Sequence, residues 1–99
     1  MKFYHAAALA LVGWYLIVPP LTSEKVLPNA PFSQWEQVKT FDTANACKKD
    51  MRFLASIFDS EAVKHAAAET GQAADLAVGK KRLDAAICIS ADDPRLKGN

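Results

Sequence analysis

The residues of this 99-residue chain best suited to covalent chemistry are its two cysteines, Cys47 and Cys88, with 40 residues between them. Two chemistries are open to such a pair, and they make different demands. A redox dithiol needs an accessible thiolate of lowered pKa, and such pairs usually sit as C-x-x-C at a helix N-terminus. A structural disulfide needs an oxidising compartment and two elements that pack face to face. The long spacing favours the second. With two cysteines a single intramolecular pairing exists, and closing so long a loop is worth about 4 kcal/mol in the chain-entropy treatment. That is of the order of the whole stability of a small domain.

The other chemistry-bearing residues are scattered. His5 and His65 lie far apart with no Cys, Asp or Glu partner at a known metal-site spacing, so no metal is expected. Asp92-Asp93 before Pro94 is turn chemistry in water rather than a cation site. Lys80-Lys81-Arg82 lacks interleaved aromatics and has Asp75 and Asp84 nearby, so it reads as a solvated turn. The four glycines form neither a phosphate-cradling loop nor a nucleophile elbow. Twelve Lys and Arg against eleven Asp and Glu leave no field to recruit nucleic acid. No catalytic residue, cofactor or nucleic-acid partner is expected.

The elements that must position the cysteines follow from periodicity. Residues 33–41 (SQWEQVKTF) read as a strand, and Asp42 or Thr43 then supplies an N-cap. The helix after it is the clearest element: Cys47, Met51, Leu54 and Phe58 stack on one stripe, widened by Phe53 and Ile57. Lys48, Lys49, Arg52 and Ser56 take the wet side. Asp59-Ser60 breaks and recaps the chain before alanine-rich residues 61–69, and Gly71 fits a left-handed helix terminus. A further turn or two over residues 72–78 ends before Gly79. Residues 84–90 (DAAICIS) alternate as a second strand, expected to pair with the first. If Cys88 faces the helix, Ile87 and Ile89 face away and need a cover; uncovered, they are a candidate binding pair.

Residues 3–18 carry no ionised side chain, follow Lys2 and stop at Pro19-Pro20. A positive start, an apolar helix and a helix-breaking end outline an export signal. Cleavage after Ala8-Leu9-Ala10 fits the small-residue rule but leaves a short apolar region; Leu11-Val12-Gly13 is a poorer site with a better length, and cleavage near Leu21-Thr22-Ser23 is the third option. Uncleaved, residues 3–18 would be a short membrane anchor of about 24 Å with the N-terminus inside. The expected organisation is therefore a signal peptide or membrane anchor over 1–20 and a proline-containing linker over 21–33. A disulfide-stapled module over 34–94 and a polar tail over 95–99 complete it. The fold class is α+β, a small strand–helix–helix–strand module behind an N-terminal hydrophobic helix.

Several pieces together resemble a group of small uncharacterised bacterial exported proteins. They are Trp14-Tyr15-Leu16 with Pro19-Pro20, Pro31-x-Ser33-x-Trp35, Phe41-Asp42-Thr43 leading to Cys47, and Cys88 before Asp92-Asp93-Pro94-Arg95-Leu96-Lys97. Residues 59–84 have no counterpart in it. The resemblance implies export and the cysteine pair, and no activity or functional residue carries over with it. The expected role is a periplasmic or extracellular protein that binds a protein partner or serves as a structural part of the envelope, without catalysis. The rival is a small thiol-redox factor, or another enzyme, using Cys47 and Cys88.

Overall fold

The computed structural model describes residues 13–23 and 25–97. Its first element is a strand, β1 (Trp14–Val18), where the sequence pattern suggested the end of an apolar helix. The correction has a simple cause. A strand buried on both faces reads as an unbroken apolar run, and over five residues periodicity cannot tell it from a buried helix. The aromatic and β-branched types at Trp14, Tyr15, Ile17 and Val18 are those that suit a pleated surface. Residues 1–12, the remainder of the expected export segment, lie outside the described residues. Among the described residues, no helix is long and apolar enough to cross a membrane.

Pro19 and Pro20 end β1, since neither can donate to a ladder. A short hairpin of β2 (Leu21–Thr22) and β3 (Lys25–Val26) follows, in the stretch expected to be a plain linker. Ser23, with φ of 50°, takes the left-handed backbone that such a two-residue loop requires. A 3-10 turn (Phe32–Gln34) then leads into β4 (Glu36–Phe41). Thr43 caps α1 (Ala44–Phe58) by accepting from the Ala46 amide at 3.1 Å, and Ser60 caps α2 (Glu61–Glu69) through the Val63 amide at 3.2 Å. Helix α2 ends as expected at Gly71, whose φ of 76° lets the Gln72 amide reach back to the Ala67 carbonyl at 2.7 Å.

Helix α3 (Ala73–Asp84) is longer than expected, running through Gly79 and taking in Lys80-Lys81-Arg82. Packing explains why the glycine does not stop it. The Phe58 ring lies 2.9 Å from where a Gly79 Cβ would stand, so the missing side chain admits the end of α1. Strand β5 (Ile87–Ser90) closes the sheet, and a second 3-10 turn (Pro94–Lys97) follows where a polar tail was expected.

The three-stranded sheet has the order β4-β1-β5, antiparallel at both joints. The strands read from the sequence, β4 and β5, thus do not pair with each other; each pairs with β1, which lies between them. Leu16 stands opposite Lys39 and Ile17 opposite Gln37, so Val38 is the extra residue of a bulge. Close approach at one end requires a glycine: a Cβ on Gly13 would lie 2.8 Å from the Phe41 carbonyl oxygen. Helix α1 packs across all three strands. Leu16, Val18, Cys47, Leu83 and Ala86 form the buried centre, with Trp14, Phe41, Met51, Leu54 and Phe58 around it. The module therefore starts at β1, well before the boundary at residue 34 that the proline-rich composition suggested. The inner stripe of α1 is as read, but Phe53 and Ile57 do not widen it; they face solvent.

Candidate functional site

The two cysteines meet where α1 crosses the sheet. Cys47 sits one turn into α1, its amide donating to the Thr43 carbonyl at 3.2 Å, and Cys88 is on edge strand β5 directly opposite Leu16. They are joined as a disulfide with Cα atoms 6.1 Å apart, within the ordinary range for an unforced bridge. Cys47 is 0% exposed, beneath Leu16, Val18 and Leu83 in the same cluster. Exchange requires a thiolate to approach a disulfide sulfur, and the helix-borne sulfur offers no such approach. The geometry is that of a cross-link fixing helix to strand.

Alternation around Cys88 places Ile87 and Ile89 on the opposite face of the sheet, with Tyr15 and Ile17 of β1. As an open binding pair they fail: Ile89 is 3% exposed and Ile87 is half-buried. Ile17 beside them is 1% exposed. The face that seemed to need an outside cover is thus largely out of solvent at Ile17 and Ile89.

The charged motifs are absorbed locally. Arg82 is no solvated turn residue: its Nε donates to the Pro19 carbonyl at 2.6 Å and its guanidinium pairs with Glu36 at 2.8 Å. It ties α3 to the end of β1 and the start of β4. Lys80 pairs with Asp59, which lowers the Asp59 carboxyl and raises the Lys80 ammonium from their usual values through their hydrogen bond. Asp92 accepts from the Ser90 hydroxyl, and Asp93 holds Arg95 through its side chain and backbone amide. The Arg95 guanidinium hydrogen-bonded to Asp93 keeps that carboxyl down at about 2. Arg95 also lies 4.8 Å over the Phe32 ring, which meets Trp35 edge-on, and the Trp35 indole donates to the Ala30 carbonyl at 2.9 Å. This chain of contacts joins the two 3-10 turns. Sequence spacing carried no signal for it, since its members lie some 60 positions apart; only the turn residues Asp93-Pro94 hinted at a fixed Arg95.

A cleft of about 430 Å³ lies between α2 and α3 and is lined by Val63, Ala66, Ala67, Thr70, Gln72, Asp75 and Leu76. Asp75 is its one carboxylate, and the Thr70 hydroxyl is already engaged with Gln72 and the Ala66 carbonyl. Among the described residues, no three His, Cys, Asp or Glu side chains are grouped to hold a metal ion; His65 pairs with Glu69 on the surface. No protein-family model, curated protein or solved structure matches the chain.

Proposed function

We propose that this is an exported protein of the cell envelope that acts by binding, or as a structural part, without catalysis. The buried Cys47–Cys88 cross-link carries this reading. Disulfides form and persist in oxidising compartments, and one enclosed in a core this small is compatible with a periplasmic or extracellular site. The fold also revises how export would work. With Trp14–Val18 as the central strand, an export signal compatible with this fold ends no later than Gly13. Cleavage after Ala8-Leu9-Ala10 or after Leu11-Val12-Gly13 leaves β1 whole, and cleavage near Leu21-Thr22-Ser23 would remove it. Burial of Cys47 argues for a structural rather than a redox role.

The test is thiol trapping in cells making the full chain, quenched in acid and alkylated with and without prior reduction. The expected result is no labelling before reduction and two labels after it, on a product whose mass places its N-terminus between residues 11 and 14. Two free thiols in the quenched cells, or a mature chain lacking β1, would overturn the reading. Rapid reduction of insulin by the purified protein would establish the redox alternative.

A further inference from the structure

Helix α1 carries two rows that its packing role does not use. At four-residue spacing, Asn45, Lys49, Phe53 and Ile57 form one row, and Lys48, Arg52 and Ser56 lie beside it. All seven are exposed, Phe53 to 62% and Ile57 to 36%. One feature of this face runs against stability. The chain leaves a phenylalanine in water where a polar residue would serve the fold. A local rule broken without a folding gain is what a functional surface looks like.

The charge on this face is not cancelled nearby. Among the described residues, none of Lys48, Lys49 and Arg52 makes an ion pair. Asp50, the acidic residue within α1, is held at 3.3 Å by Lys39 of β4, and Asp42 stands beyond the N-cap. The face is thus a cationic half followed by an apolar half along one side of a single helix.

We propose that this face of α1 seats the protein on an anionic lipid surface. Cations of this kind lie in the phosphate plane, while an aromatic ring and a branched aliphatic enter the boundary below it. Two apolar side chains fall far short of the roughly 800 Å² per partner that a stable protein interface buries. Lipid asks for no shape complementarity, and each of the three cations contributes about 1 kcal/mol at an anionic surface. The inference rests on the envelope reading only in that lipid must be within reach; the face itself belongs to α1.

The test uses the purified, oxidised full chain and two kinds of vesicle: pure phosphatidylcholine, and the same lipid with a third replaced by phosphatidylglycerol. Co-flotation at low salt is expected to favour the anionic vesicles by about 100-fold, the preference shrinking as salt is raised. Lys48→Gln/Lys49→Gln/Arg52→Gln is expected to abolish the preference, and Phe53→Ser to weaken binding to the anionic vesicles by about tenfold or more. Whatever residues 1–12 add to lipid binding is common to every variant, so differences within the series belong to α1. The substituted side chains are exposed, and circular dichroism checks that each variant stays folded. Equal binding to both vesicles, or a triple variant indistinguishable from the parent, would overturn the proposal. So would displacement of the parent by polyglutamate with Phe53→Ser binding unchanged, which would make an acidic polypeptide the occupant. None of these outcomes alters the thiol state, so failure here is separable from failure of the export reading.

Discussion

The two halves of the molecule are held by different means. In one, α1 lies on β4-β1-β5 around side chains that are almost fully enclosed, and a covalent bond runs through the centre. In the other, α2 and α3 carry alanine at a third of their positions and bury only Ala67 and Leu83, the second of which joins the first core. Alanine favours the helical backbone but removes little apolar area from water. That half depends on terminal devices and single polar ties: the Ser60 cap, the Gly71 turn, Lys80 on Asp59 and Arg82 on Pro19. The contrast teaches that a small chain can spend its apolar residues on one layer and let local geometry hold the rest.

The sharpest way to break the contrast is at the cross-link. Replacing both cysteines by serine is expected to cost about 4 kcal/mol, read as a fall in the urea midpoint that reductant reproduces in the parent. Leu16→Ala, at a 0% exposed position in the centre of the sheet, should cost about 3 kcal/mol and lower the protection of every strand together. Arg82→Met is expected to cost about 2 kcal/mol, the usual worth of a hydrogen bond to a charged group. Here the signature is local, with faster amide exchange in α3 before β1 is affected. A global change of equal size across both halves would show that the alanine-rich half is no separate unit.

Gly71→Ala forces a side chain into left-handed backbone and should cost about 1 kcal/mol, confined to the end of α2. The smallest effect is at the C-terminal turn. Asp93 has its carboxyl depressed from 3.8 to about 2, so its contribution is fully present above pH 3.8 and is lost as pH falls toward 2. An NMR titration of the Asp93 carboxyl should show that low midpoint, and Arg95→Gln should return it to the ordinary carboxylate range.

Much of the helical chemistry was legible in the sequence because it is local. The Thr43 and Ser60 caps, the stripe from Cys47 to Phe58 and the left-handed Gly71 each depend on residues within a turn or two. The disulfide was legible because two cysteines admit one pairing. What could not be read was set by distant partners. β1 looked like a membrane helix because its ladder partners, Lys39 and Cys88 among them, arrive later in the chain and flank both its edges. Arg82 looked solvated because its acceptor is the carbonyl of Pro19, 63 positions earlier. Phe53 was read as widening the core stripe, but it lies about 100° round the helix from Leu54, on the outer side.

The central position of β1 sets an order of events for a chain that emerges from one end. Its hairpin-side partner, β4, follows within a few tens of residues, but its other partner, β5, is nearly the last element made. Until Ile87–Ser90 has emerged, one edge of β1 stays unsatisfied, Leu16 has no Cys88 opposite it, and Cys47 has no sulfur to meet. Pairing over such a separation is slow because the loop must close before any contact rewards it. A chain wired this way cannot complete its central sheet, or its cross-link, until its last strand has been made.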